Sequence, residues 1–309
     1  MDNRINILTV GSINMDLVTR TSRVPKAGES VIADSYCYIP GGKGANQCVA
    51  SARLGASAVF AGRVGSDASG GLLKDNLVKE GICVDFLETD GIYATGMANI
   101  LVEDNGQNRI LVIPGANMHI AEHDLERAFD RPYNAVIVQF EIPADIVAET
   151  VRLANLHDIP VIVDAGPAMD FPLERLGHIA VLSPNETEAE ALTGLAADEG
   201  NCEAISLALK KRCRADIIVL KRGADGAYAY QNGTGKFYPA YSVKALDTTA
   251  AGDAFTAALA VEYASGRDIG EAIMFANAAG ALAVTKLGAQ VSMPRRGEVE
   301  AFLLIREDK

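Results

Sequence analysis

The sequence predicts an α/β fold: a doubly wound, mostly parallel sheet flanked by helices, with a small antiparallel β-sheet lid contributed by two insertions. Three observations lead there. Short apolar runs rich in Val, Ile and Leu alternate with longer helix-like segments, as strands buried on both faces beneath covering helices require. Two stretches, roughly 16–39 and 93–114, interrupt that rhythm with shorter, alternating, strand-like patterning. The 309 residues suit a single large α/β domain with insertions, and no repeat, low-complexity tract or Pro- or Ser-rich linker divides them.

Taken in order, the strands fall at 5–10, 58–64, 135–139, 160–164, 179–183 and 217–221. The helices between them are expected at 44–54, 70–80, 121–129, 144–157, 186–193 and 199–212, and the chain after Asp253 reads as mostly helical. In the second insertion, apolar runs at 100–102 and 110–113 flank Asp104-Asn105-Gly106, and Asn-Gly between apolar runs signals a hairpin. A lid of this kind sits over the C-terminal strand ends, where open α/β sheets bind ligands.

Composition narrows the function. With 49% hydrophobic and 22% charged residues the chain can bury a substantial core and is not disordered. Its 40 acidic against 28 basic residues, a net charge of −12, would repel a nucleic-acid backbone, so no nucleic-acid partner is expected. Five cysteines without a Cys-x-x-Cys pair read as reduced thiols of a cytoplasmic protein. No apolar run approaches a membrane span, and the one near the N-terminus is too short for a signal peptide. The sequons at Asn185 and Asn232 are accordingly expected to stay unmodified.

The most informative string is Asp247-Thr248-Thr249-Ala250-Ala251-Gly252-Asp253, which runs straight into an apolar helical stretch. Ala250, Ala251 and Gly252 leave the first-turn N–H groups uncovered, and those donors with the helix dipole attract an anion such as phosphate. A carboxylate beside such a site makes chemical sense as a general base: Asp253 takes a hydroxyl proton while the amides stabilise charge on a phosphoryl group. Ordinary helix capping by Asp and Thr explains the same letters.

Gly41-Gly42-Lys43-Gly44-Ala45-Asn46-Gln47 lets a ligand approach backbone at a helix start, or simply caps the helix with a glycine turn. It is neither a P-loop nor a dinucleotide fingerprint. In Gly11-Ser12-Ile13-Asn14-Met15-Asp16, Asn14 and Asp16 share one face of an extended chain and suit a polyol, although a turn after a strand favours the same residues. Ser183-Pro184-Asn185-Glu186-Thr187-Glu188 sets Asn185 and Glu188 on one helical face, as an outer shell for hydrated Mg²⁺ or as a capping box. His119-Ile120-Ala121-Glu122-His123 matches a zinc-peptidase string but is rejected, because a helix starting near Glu122 cannot carry both histidines and no third ligand is evident.

In order and spacing these segments, together with Pro114-Gly115-Ala116-Asn117 and Gly223-Ala224-Asp225-Gly226, resemble the ribokinase family of sugar kinases over nearly the whole chain. The resemblance implies ATP-dependent phosphorylation of the 5-hydroxyl of D-ribose, with Asp253 as base and the amides of Ala250, Ala251, Gly252 and Asp253 as anion hole. It further implies that Asn14, Asp16, Gly42, Lys43, Asn46 and Glu141 hold the sugar, with Asp253. Asn185, Lys221, Gly223, Gly226 and Asn277 would hold ATP, and Asn185 and Glu188 would organise Mg²⁺ through water. K⁺ would be held by Asp247, Ser292 and the carbonyls of Thr249, Ala283, Lys286 and Gly288, and the lid strands would pair two subunits into a homodimer.

Two positions depart from the family pattern. Asp164-Ala165-Gly166-Pro167 stands where its ribose kinases carry Asn-Pro-Ala-Pro, and Lys221 stands where they carry Thr or a similar small residue. Asp164 either tunes Mg²⁺ handling or is a tolerated variant, Lys221 either meets a phosphate or points to solvent, and neither is expected to touch the ribose set. Other readings are a kinase of the same family acting on 2-deoxyribose, fructose or adenosine, and a sugar sensor without catalysis. A site that hydrogen-bonds vicinal hydroxyls should reject a 2-deoxy sugar.

Overall fold

Ile7, Leu8 and Val10 are fully buried, so the first strand, β1 (Asn6–Val10), has no wet face and lies inside a covered sheet. The computed structural model describes residues 4–105 and 107–307. After β1 come β2 (Asn14–Thr21), β3 (Ser35–Gly41), α1 (Lys43–Arg53), β4 (Ser57–Gly65), α2 (Ala68–Lys79) and β5 (Cys83–Asp90). Then follow β6 (Gly96–Glu103), β7 (Asn108–Ile113), α3 (Glu122–Glu126), β8 (Ala135–Gln139), α4 (Ala144–Leu156), β9 (Val161–Asp164), β10 (His178–Ser183) and α5 (Glu186–Thr193). The rest comprises α6 (Cys202–Arg212), β11 (Arg214–Lys221), β12 (Gly226–Gln231), β13 (Thr234–Pro239), α7 (Ala251–Ala264), α8 (Ile269–Ala283) and α9 (Arg296–Glu307).

Nine strands form one sheet in the order β13-β12-β11-β10-β9-β8-β1-β4-β5, parallel from β11 to β5 and antiparallel at the β12–β13 end. Alternate residues of a strand enter opposite cores. Leu8, Val10, Val136, Val138, Val161 and Val163 pack under α3 to α6, whereas Ile7, Ile137 and Ile162 pack with α7, α8 and α9. A third cluster joins α1 and α2 to the first turns of α7. Strand order reverses between β1 and β8, so the crevice beyond their C-terminal ends is the topological switch point where such sheets bind ligands.

The six expected strands are present, but β5, β12 and β13 were not read from the sequence. The β12–β13 hairpin turns at Asn232 and Gly233, both at positive φ (52° and 78°), the geometry that Asn-Gly supplies to a two-residue turn. The helix expected over 121–129 stops at Glu126 and continues as a 3₁₀ turn, Arg127–Asp130; the one expected over 199–212 opens with a 3₁₀ turn, Glu199–Asn201.

The lid is a four-stranded sheet, β3-β2-β6-β7. Each insertion is an antiparallel hairpin, but β2 and β6 pair parallel, so the lid is mixed rather than wholly antiparallel. The reason is its attachment: β2 and β6 follow β1 and β5, which run the same way in the main sheet, and so leave it side by side in one direction. Gly106 of the expected Asn-Gly turn lies outside the described residues; the strands around it pair from Val102 with Asn108 to Met97 with Ile113. Among the described residues no helix is long and apolar enough to cross a membrane.

Candidate active site

The two glycine-rich strings interlock. A Cβ on Gly42, whose φ is 87°, would lie 2.7 Å from the Ile13 Cα, and one on Gly44 would lie 2.7 Å from the Ser12 amide nitrogen. Only glycine lets the start of α1 press backbone to backbone against the β1–β2 link. Ala45 N–H then donates to the Ser12 carbonyl at 2.9 Å, and the Ser12 hydroxyl donates to Glu141 Oε2 at 2.5 Å. The Lys43 amide also donates to Glu141 Oε2, at 3.2 Å, so three separated strings of sequence meet at one carboxylate.

Asn14 and Asp16 both lie on β2, as expected, and Asn14 is fixed by Asn117, whose Nδ2 donates to Asn14 Oδ1 at 2.7 Å. Asn117 also accepts from the Ile13 amide at 2.9 Å, which gives the Pro-Gly-Ala-Asn string its role. Beside them, Asp16 Oδ1 and Asn46 Oδ1 are buried acceptors without a hydrogen-bond partner. Burial, then the nearby Glu141 and Asp253 carboxylates, push the Asp16 carboxyl up to about 7.

Helix α7 is preceded at its N-cap by Ala250, a non-glycine residue in the left-handed region (φ 59°), and has no side-chain cap. The capping explanation of this string therefore does not hold; Asp247 turns away to accept from the Thr249 amide at 2.9 Å and the Gly288 amide at 2.8 Å. Ala251 N–H donates weakly to the Thr248 carbonyl (3.3 Å), while the Gly252 and Asp253 amides find no partner among the described residues. Asp253 is buried, its Oδ2 accepting from Asn46 Nδ2 at 2.9 Å and its Oδ1 from Gln47 Nε2 at 3.0 Å, with Lys43 Nζ 3.9 Å away. Burial raises its pKa to about 6 against the pull of Lys43. Burial alone would lower Lys43, but Asp164, Asp253, Glu188 and Glu141 together outweigh it and keep the ammonium charged.

A cleft of about 740 Å³, within the usual range of ligand sites, opens beside the start of α7. Lys43, Asn185, Glu188, Lys221, Gly223, Gly226 and Asn277 line it together with Ala250 to Asp253. Asn277 spends its amide on the carbonyls of Tyr238 and Pro239 (3.2 and 3.1 Å), tying α8 to β13. Asn185 and Glu188 do form the capping box of α5: Glu188 N–H donates to Asn185 Oδ1 at 2.9 Å, and Glu188 Oε2 accepts from the Asn185 amide at 2.7 Å. Lys221 is buried and does not point to solvent, its Nζ lying 3.2 Å from Asp164 Oδ1 and 3.8 Å from Glu188 Oε2.

Of the residues expected around a monovalent cation, Asp247 accepts from the Thr249 and Gly288 amides, and the Ser292 hydroxyl donates to Ala289 O at 2.8 Å. Ala283 O accepts from the Lys286 amide at 3.2 Å. His119 stacks on Tyr93 (ring centroids 3.3 Å apart) in a 3₁₀ turn ahead of α3, and His123 pairs with Asp124 at 3.2 Å. No group of three His, Cys, Asp or Glu side chains among the described residues could hold a metal ion.

Gln47 and Asn117 stand inside the matching strings with no role evident from sequence, and Asp164, where the chain departs from the pattern, has two open readings. The bonds from Gln47 to Asp164 and Asp253 and from Asn117 to Asn14 join residues 117, 206 and 103 positions apart, so no local pattern marks them.

The chain matches the family model described as pfkB family carbohydrate kinase over residues 4–296. A ribokinase of Bacillus subtilis (strain 168) is 38% identical over 300 residues, covering 96% of this chain and 99% of its own. That of Haemophilus influenzae (strain ATCC 51907 / DSM 11121 / KW20 / Rd) is 36% identical over 304 residues, 97% and 99% of the two chains. Among solved structures, an Arabidopsis thaliana ribokinase complexed with ribose and ATP superimposes with a TM-score of 0.88 at 34% identity, over 97% of this chain and 99% of its own. With its fold, its uncapped helix start and its full-length relatives in agreement, the chain belongs to the pfkB family of carbohydrate kinases.

Proposed function

We propose that the protein is a ribokinase, transferring the terminal phosphoryl group of ATP to the 5-hydroxyl of D-ribose. The observation that carries this reading is the buried Asp253 carboxylate, set between the free amides of the α7 start and the two unpartnered acceptors Asp16 Oδ1 and Asn46 Oδ1. Those acceptors suit sugar hydroxyls, which donate; Asn14, Gly42, Lys43 and Glu141 complete the sugar set. Asp253 takes the proton from the 5-hydroxyl as that oxygen attacks phosphorus, and a pKa near 6 leaves it ionised at neutral pH yet basic enough to act. The backbone of Ala250, Ala251, Gly252 and Asp253 faces the charge that develops on the transferred phosphoryl. ATP occupies the 740 Å³ cleft against Asn185, Lys221, Gly223, Gly226 and Asn277.

The residues present fit the ions of such a reaction. Both Glu188 oxygens accept from Asn185, through its amide and its Nδ2, and the pair offers no direct carboxylate cluster among the described residues, so these side chains would hold a hydrated Mg²⁺ through its water, and the ion would supply charge neutralisation for the phosphates. Asp247, Ser292 and the carbonyls of Thr249, Ala283, Lys286 and Gly288 would offer K⁺ oxygen ligands alone, and a cation held there would place positive charge next to the anion hole. Exposed Ile110, Leu111, Val112 and Ile113 on the lid's edge strand support a homodimer through the lid, and five unpaired cysteines support a cytoplasmic location.

The test is ADP release with ATP, Mg²⁺ and K⁺ against ribose, 2-deoxyribose, fructose, adenosine and no sugar. Ribose should stimulate most and 2-deoxyribose poorly; equal turnover of the two would move the substrate assignment, and silence throughout would leave a sensor. Asp253→Asn keeps the shape but cannot accept a proton, so kcat should fall about 10²- to 10⁴-fold with ribose binding by calorimetry largely retained.

A further inference from the structure

Resting on the kinase reading, we propose that Asp164 is a positioning residue for the transfer step, one of its oxygens steadying Gln47 against the base and the other holding Lys221 beside the first turn of α7. Asp164 ends β9, is fully buried and uses both oxygens twice. Its Oδ2 accepts from Gln47 Nε2 at 2.9 Å and from the Thr256 hydroxyl at 3.0 Å, and its Oδ1 accepts from the Gly166 amide at 3.0 Å and from Lys221 Nζ at 3.2 Å.

Gln47 is the link to the base. Its Nε2 divides two hydrogens between Asp164 Oδ2 and Asp253 Oδ1, and its Oε1 accepts from Gln139 Nε2 at 2.6 Å, so the amide cannot flip without turning oxygen toward two carboxylates. One oxygen of Asp253 is thereby pinned from behind while Asn46 holds the other. Lys221 is the link to the phosphate: its Nζ lies 3.8 Å from where a Cβ on Gly252 would stand, within reach of an anion resting on the α7 amides. Without the two carboxylates Asp164 and Glu188, a buried ammonium would not be held there.

The same geometry unites the two departures from the family pattern. An Asn at position 164 would turn its amide either toward Gln47 Nε2 or toward Lys221 Nζ and the Gly166 N–H, donor against donor in both cases. Lys221 therefore disfavours Asn at position 164, and a small residue at 221 removes one of the two donors that the turned amide would face.

The experiment compares the wild type with Asp164→Asn, Lys221→Met and the double variant Asp164→Asn/Lys221→Thr, which leaves neither charge buried alone and so remains informative where a single variant fails to fold. Each is expected to lower kcat about tenfold to a hundredfold, as misplaced reacting groups do, with ribose KM held within about twofold. ATP should bind more weakly to the two Lys221 variants. Asp253 is faced by Lys43 from α1, Asp16 from β2 and Asp164 from β9, so removing the last charge should move the acid limb of kcat/KM to lower pH in Asp164→Asn and in the double variant. A double variant with wild-type kcat, ATP affinity and pH profile would overturn the proposal and reduce the pair to a structural ion pair. A wild type silent toward ribose would instead overturn the kinase reading itself.

Discussion

Burial beside Glu141 and Asp253 lifts the Asp16 carboxyl from its ordinary 3.8 to about 7, so the folded protein holds this proton across a pH range in which the unfolded chain has released it. Any stability gained that way is complete below about pH 4 and is lost as pH rises through 7. Asp16→Asn, which carries no charge to desolvate, should therefore melt above the wild type at pH 8, with the gap closing toward pH 4; a gap that is constant with pH would contradict the shift. At this scale Asn14, Asp16 and Asp253 were legible from the chemistry of short strings, whereas Asn46 and Glu141 entered as sugar ligands only through the family resemblance. Gln47, Asn117 and Asp164 were not legible, because their work consists of holding those residues from across the sheet. Asn117 means nothing until β6 and β7 bring it to the β1–β2 link, and Asp164 means nothing until Gln47 joins it to Asp253.

Elements were legible where burial is uniform. β8 and α5 coincide with their expected bounds, and β1, β4, β9 and β10 fall within a residue of theirs, since apolar runs closed by polar residues have few other solutions. β5 and β13, at the two sheet edges, lack such a run, β5 being irregularly part-buried and β13 exposed almost throughout. The contact between α1 and the β1–β2 link gives a test at this scale. Gly44→Ala sets a Cβ 2.7 Å from backbone that cannot yield cheaply, and should cost about 1–3 kcal/mol in urea unfolding while raising ribose KM. Gly71→Ala, in α2 with nothing within 4 Å of the added carbon, should stabilise by about 0.5–1 kcal/mol and leave kinetics alone. Equal effects at the two sites would mean that backbone contact is not what Gly44 is for.

For the whole molecule, the lid carries both remaining expectations. Its edge strand β7 exposes Ile110, Leu111, Val112 and Ile113 by half or more, a row that a second copy would cover. Leu111→Lys with Ile113→Lys should convert a dimer to a monomer in light scattering, and a wild type already monomeric would sink the lid pairing. Both legs of the lid rise from one flank of the main sheet, from β1 and from β5, while the nucleotide cleft is walled by β11, the turn before β12, α7 and α8. Ribose alone should accordingly slow amide hydrogen exchange in β2, β3, β6 and β7 and leave residues 226–239 unchanged; protection spreading to both would show that the two halves move as one. A door hung on one jamb leaves the opposite wall at rest, and from this hinge the expectation is that ADP leaves and ATP enters beside residues 226–239 while the lid stays closed over the sugar.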